Sequence, residues 1–167
     1  WVLFLLISLS LAACEMHLRQ KMAFPEKLNH LYIKTVDPYG TLAKTLEQYF
    51  NQSNIVISMS GKVAMATLNI LEEQDSQQLL GVSSTQQTRQ YRLTTIVKFS
   101  ATNQAGALLL APITLQESRV VTVQSNQILG ANNETLAFYQ VMRRYLAHAI
   151  VSYLASENVS HALHDVI

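Results

Sequence analysis

The sequence is poor in the residues that build cross-linked or metal-bound scaffolds, and it carries little net charge. One cysteine among 167 residues excludes an intramolecular disulfide and a multi-cysteine metal site. Five glycines and three prolines exclude collagen-like and low-complexity chains. Twelve basic against eleven acidic side chains argue against a nucleic-acid partner, because phosphate binding requires a basic surface. With 49% hydrophobic residues, a chain of this length is expected to fold as one domain around a core.

Residues 1–13 form an apolar run without a charged side chain. The run has the length of the hydrophobic region of a signal peptide and is too short to span a bilayer, which requires about 20 apolar residues. Leu11-Ala12-Ala13-Cys14 at its end resembles the lipobox of bacterial lipoprotein precursors. The resemblance implies that residues 1–13 are removed and that Cys14 is acylated, which anchors the protein in a membrane. Glu15 after the cysteine favours sorting to the outer membrane, since an aspartate there typically retains lipoproteins in the inner membrane.

The rest of the chain is predicted to comprise a tether over 14–27, a single α/β domain over 28–156 and a loose C-terminal tail over 157–167. Alternation of apolar and polar residues between turn signals predicts strands. They are Leu28–Val36, Ile55–Leu71 broken at Gly61 with a candidate continuation over Gln78–Ser84, Gln90–Thr102 and Ala107–Gln124. Apolar residues three or four apart predict helices at Thr41–Phe50 and about Asn133–Ser156. The order β-α-β-β-β-α predicts an α+β two-layer sandwich, a four-stranded mixed sheet with two helices packed on one face.

The sequence offers no constellation of catalytic or ligating side chains. No serine lies in a nucleophile elbow, and no histidine pair has the spacing of a zinc site. Glu72, Glu73 and Asp75 are interpreted as a solvated loop, and Arg143-Arg144 as a solvated helix face. We therefore expect no catalytic residues, no metal and no cofactor, and a binding or assembly role instead of an enzyme.

Several segments together resemble a known family. They are Cys14-Glu15-Met16-His17-Leu18-Arg19, Asp37-Pro38-Tyr39-Gly40-Thr41-Leu42, Gln90-Tyr91-Arg92-Leu93 and the closing helix. In their order and spacing they resemble the LptE family of lipopolysaccharide-assembly lipoproteins. The family often has an aromatic residue where this chain has Met16, and some members have a lysine where this chain has Ala131.

This resemblance implies an outer-membrane lipoprotein on the periplasmic side that plugs the β-barrel LptD, assists its assembly and helps to insert lipopolysaccharide into the outer leaflet. Arg89 and Arg92 could replace the missing lysine as lipopolysaccharide contacts. Lys98 alternates with apolar neighbours as Arg92 does, so both are expected on one exposed face, about 20 Å apart. Two alternatives remain open: another periplasm-facing lipoprotein of envelope assembly or lipid carriage, and a lipoprotein hydrolase.

Overall fold

A computed structural model describes residues 24–85, 87–124 and 128–164 of the chain. The strands are β1 (His30–Lys34), β2 (Val56–Ile57), β3 (Ala66–Val82), β4 (Thr88–Asn103) and β5 (Leu108–Gln124). The helices are α1 (Thr41–Gln52), α2 (Ile128–Leu154) and α3 (Glu157–His164). Cys14 and the predicted signal peptide lie outside the described residues.

The strands form one mixed sheet in the order β2-β1-β3-β4-β5. Strand β1 is parallel to both of its neighbours, whereas β3, β4 and β5 form an antiparallel meander. The predicted α+β class and mixed sheet are confirmed. The predicted count of four strands is wrong, because the segment broken at Gly61 supplies two strands, β2 and β3, on opposite sides of β1.

The main core lies between one face of the sheet and the two long helices. Buried side chains from β1, β3 and β4 meet those of α1 and α2 there, so both helices pack on the same face, as predicted. Leu31, Leu68 and Phe99 represent the sheet, and Leu46 and Ile150 represent the helices; each is at most 1% exposed. The sheet face that the helices cover is called the helix face below, and the opposite one is called the open face.

The turn before α1 explains the glycine of its Asp-Pro-x-Gly motif. The Gly40 amide donates to the Asp37 carbonyl at 3.3 Å, and the Asp37 carboxylate lies where a Cβ on residue 40 would stand. Any larger residue would have to displace this carboxylate. Gly40 therefore leaves room for the Asp37 carboxylate beside the first turn of α1.

The meander is much longer than the parallel part of the sheet. Strand β1 pairs only with Ala66 to Asn69 of β3, whereas β3 continues to Val82 beside β4. At about 3.3 Å per residue, this extension projects about 40 Å past β1. Helix α2 runs beside it from the far end of β5, so it covers both the main core and the extension.

The ends of the domain differ from the prediction. Phe24 packs edge-on against Phe50 with ring centroids 6.0 Å apart, and Pro25 is buried, so the end of the predicted tether packs on the domain. The tail predicted to be loose over 157–167 begins as helix α3, and Val159 is 2% exposed in the main core. The reason is that Val159 supplies apolar surface that the core can bury.

Candidate partner-binding surface

The open face of the sheet is a broad polar surface with few charges. Register places its members on β3, β4 and β5 in cross-strand rows, and most are hydroxyl or amide side chains. They include Thr67, Asn69, Glu72, Gln74, Ser76, Gln78, Arg92, Thr94, Ile96, Lys98, Thr102, Thr114, Gln116, Ser118, Val120 and Thr122. This face can form many hydrogen bonds but has little apolar surface to bury.

Hydrogen bonds between neighbouring strands preorganise part of the open face. Asn69 Nδ2 donates to Thr102 Oγ1 at 3.2 Å, joining β3 to β4. The hydroxyls of Thr94 and Ser118 lie 3.0 Å apart, joining β4 to β5. Cross-strand pairs of this kind stabilise a sheet and limit the rotamers of the polar side chains.

The structure separates the three basic residues that the sequence singled out. Arg92 lies between Gln78 and Val120, and Lys98 lies between Glu72 and Thr114, both on the open face as the alternation predicted. Arg89 pairs with Val123 and Val82, one position out of phase with Arg92, so it belongs to the helix face near the β3–β4 turn. The three do not form one cluster.

Beneath α2, the helix face carries a polar cluster that the sequence interpretation missed. Arg143 Nε donates to Glu73 Oε1 at 2.5 Å, and its Nη2 donates to Asp75 Oδ2 at 2.7 Å. Thr95, which is fully buried, donates to the other Asp75 oxygen at 2.8 Å. The side chains of Arg143, Glu73 and Asp75 are only 21–26% exposed. This group of four residues is called the Arg143 cluster.

The Arg143 cluster perturbs its own arginine and an adjacent tyrosine. Burial lowers the pKa of Arg143, but hydrogen bonds and attraction from Glu73 and Asp75 outweigh it, so the net shift is upward. Burial raises the pKa of Tyr139, and the negative charge of Asp75 adds to the rise while Arg143 opposes it. The Tyr139 hydroxyl donates to the Ser76 carbonyl at 2.9 Å. Both residues therefore bind α2 to β3 through polar contacts.

Two expectations about this region are wrong. Glu72, Glu73 and Asp75 do not form a loop but lie within β3, because a bulge at Leu71 shifts the register and turns Glu73 and Asp75 to the helix face. Arg143 does not lie on a solvated helix face, because it points at these two carboxylates. Arg144, its neighbour, is exposed as expected.

The Arg143 cluster separates two apolar regions. On one side is the main core, and on the other is a smaller cluster of Leu93, Val121, Tyr139 and Met142. The smaller cluster alone buries few side chains. The ion pairs thus join α2 to the extension of the meander, where hydrophobic contacts are sparse, and loss of one partner would leave a half-buried charge unpaired.

No metal-binding arrangement was found in the part of the chain that the structure describes: no three potential ligands among His, Cys, Asp and Glu cluster there. In the same ranges, no helix is long and apolar enough to cross a membrane. The chemistry that the described surface does offer is hydrogen bonding on the open face.

Comparison with known proteins gives a consistent result. Residues 28–154 match the model of a family described as LptE, lipopolysaccharide-assembly. The chain is 25% identical over 156 residues to the LPS-assembly lipoprotein LptE of Photorhabdus laumondii subsp. laumondii, covering 92% of this chain and 85% of that protein.

Solved structures share the fold at lower identity. A rare lipoprotein B from Shewanella oneidensis is 18% identical with a TM-score of 0.66, covering 78% of this chain and 97% of that one. Lipoprotein B from Nitrosomonas europaea is 17% identical with a TM-score of 0.66, and the match covers 86% of this chain and 90% of that one. A minor lipoprotein from Acinetobacter baumannii is 17% identical with a TM-score of 0.63, covering 78% and 95%.

The Arg143 cluster leads to a stability prediction. Arg143→Met keeps the aliphatic length but leaves Glu73 and Asp75 without their cation, so we expect a loss of about 1 to 3 kcal/mol in the free energy of unfolding, between the values for exposed and buried pairs. Chemical denaturation measures it, with Arg144→Met as the matched exposed control. Equal effects of the two substitutions would show that the cluster contributes no special stability. Adding Glu73→Gln and Asp75→Asn to Arg143→Met should restore part of the loss.

Proposed function

The chain belongs to the LptE family of lipopolysaccharide-assembly proteins, and on this premise we propose that it is an outer-membrane lipoprotein that plugs the LptD β-barrel. In this role it helps the barrel to assemble and takes part in inserting lipopolysaccharide into the outer leaflet. The single observation that carries the proposal is the family match over residues 28–154, which includes the complete sheet and the two long helices.

The open face supports occupancy of a barrel lumen. The interior of an outer-membrane barrel is polar and the lipid-facing exterior is apolar, so a plug should present hydrogen-bonding side chains to the wall. Hydroxyl and amide groups such as those of Thr94, Gln116 and Ser118 meet this requirement. A surface of this composition can also remain exposed to solvent before the partner binds, because it has little apolar area to bury.

The anchoring step of the proposal rests on the N-terminal sequence. Cys14 follows an apolar run and is the residue that would carry the acyl chains. Several acyl chains give stable anchoring, whereas one alone gives marginal binding. Similar proteins that are named as lipoproteins support this proposal for the present chain. With Cys14 acylated in the outer membrane, the domain would lie on the periplasmic side.

The most detailed part of the proposal concerns the recognition of lipopolysaccharide. Arg92 and Lys98 each add one positive charge to the open face, about 20 Å apart, so they would contact separate phosphate or carboxylate groups. Arg89 would act on the other face of the sheet near the β3–β4 turn. A charge-assisted hydrogen bond from each arginine is the interaction that would hold such a group.

The test of the plug role is co-purification. The full chain, tagged at its C-terminus and extracted from membranes with a mild detergent, should retain one equivalent of a large β-barrel, and depletion should lower the amount of folded barrel. Mass spectrometry identifies the retained protein. If repeated extractions return no barrel and depletion leaves outer-membrane lipopolysaccharide unchanged, the plug role is wrong.

Arg92 gives a residue-level prediction. Arg92→Glu should weaken binding of lipopolysaccharide or of the barrel by about 1.5 to 3 kcal/mol, the contribution of a charge-assisted contact, while a merely solubilising arginine would contribute about 0 to 1 kcal/mol. Titration of the purified variant measures both affinities, and thermal unfolding checks its fold. Arg144→Glu, an exposed charge on α2, is the matched control. Unchanged affinity for both ligands would show that Arg92 serves only solubility.

A further inference from the structure

The two edges of the sheet are protected very differently. Strand β2 forms one edge and has two residues, too few to template another strand. Strand β5 forms the other edge and has 17 residues. From Ile113 to Gln124 it pairs with β4 in regular register, and no backbone hydrogen bond outside the strand ladders reaches these residues within the described ranges. Strand β5 is therefore a long edge with its outer backbone groups available.

The direction of the free backbone groups follows from one bond at the β3–β4 turn. The Thr88 carbonyl accepts from the Ser83 amide on the β3 side. In a regular antiparallel strand, the amide and carbonyl of one residue point to the same neighbour, and the direction alternates along the chain. The backbone amides and carbonyls of the even-numbered β4 residues up to Lys98 therefore point to β3. Those of the even-numbered β5 residues opposite them point outwards, away from the sheet. Ser118 is at the centre of this outward set.

The sequence of β5 is complementary to itself around Ser118. When two copies of β5 lie antiparallel with Ser118 opposite Ser118, Glu117 lies opposite Arg119 of the other copy, twice by symmetry. The same register places Leu115 opposite Val121 and Thr114 opposite Thr122. Opposite charges across strands stabilise a pair, and like charges destabilise it. Centring the pair on Glu117 or on Arg119 would place identical charges opposite each other.

The backbone fits this register. Ser118 and the outward residues two and four positions to either side would exchange about ten amide–carbonyl bonds across the two-fold axis. The charged residues would form the closely spaced, non-hydrogen-bonded pairs, whose Cα atoms are about 4.5 Å apart. Pro112, which has no amide hydrogen, would end the ladder beyond Ile113.

The helices leave room for a second copy. Helix α2 reaches β5 through Tyr145, whose ring centroid is 4.8 Å from Arg119 Cζ, and its backbone lies over β4 and β5. Strand spacing then places the two copies of α2 about 10 to 14 Å apart, no closer than the 8–10 Å of packed helices. Tyr145 is 56% exposed and would lie in this gap beside the Glu117–Arg119 pairs.

We propose that the free protein pairs with a second copy of itself through β5, forming a continuous ten-stranded sheet across a two-fold axis at Ser118. This inference is independent of the proposed plug role. It gives β5 a partner in the free protein, where the exposed edge would otherwise be open to other strands.

A charge-swap cycle tests the interface. The full chain in detergent should sediment as a dimer that dissociates on dilution. Arg119→Glu or Glu117→Arg alone creates two like-charge pairs, so each should raise the dimer dissociation constant about tenfold or more. The double swap Glu117→Arg with Arg119→Glu restores opposite charges and should return the constant to near its original value. Thermal unfolding of each variant checks the fold, since Arg119 also contacts Tyr145 and pairs with Glu117 of its own chain, Nε to Oε1 at 3.5 Å.

Cysteine cross-linking tests the register in a Cys14→Ser background. Ser118→Cys should form an intermolecular disulfide on mild oxidation, because residue 118 faces its own copy. Thr122→Cys, on the same strand and face, should not, since the proposed register separates the two copies of residue 122 by about 27 Å along the strand. A monomer at all concentrations without a Ser118→Cys cross-link overturns the proposal. A dimer unaffected by either single swap, or one that cross-links equally at 122, overturns it as well.

Discussion

The interaction on which the distal half of the domain depends is the pairing of Arg143 with Glu73 and Asp75. Strand β3 begins with apolar side chains on the helix face and then, after the bulge at Leu71, presents two carboxylates to the same helix. Without a cation on α2, these carboxylates would lose hydration with no opposite charge to compensate for it. The arginine lets one helix cover both the main core and the extension of the meander.

This arrangement divides the two faces of the sheet by role. The helix face supplies stability through the main core, the Arg143 cluster and a smaller apolar cluster around Leu93. Among the described residues, the two long helices pack on the helix face. The open face carries hydroxyl and amide groups instead. Membership of a lipopolysaccharide-assembly family is consistent with a fold in which one complete face of the sheet is available to a polar partner. The β5 edge adds a second surface, whose charges favour a copy of the same chain.

Local patterns were sufficient for much of this fold. The period of two in β4 correctly predicted that Leu93, Val97 and Phe99 are buried while Arg92 lies on the opposite face, because a half-buried strand requires that alternation. Apolar spacing also located both long helices, although α2 begins at Ile128, before the predicted start at Asn133. Tertiary pairings were beyond local patterns. From the local sequence, Glu73 and Asp75 are typical of a solvated loop. Their burial depends on a bulge in β3 and on an arginine about 70 residues away, which a local pattern does not indicate.

The central claim is that the open face lies against the wall of a barrel. It is tested most directly by a photo-reactive residue placed at Gln116, on the open face, and compared in living cells with one at Gln140, an exposed position on α2. The account predicts that light joins the Gln116 variant to the barrel strongly and the Gln140 variant much less. Equal adducts at both positions, or an adduct from Gln140 alone, would contradict it.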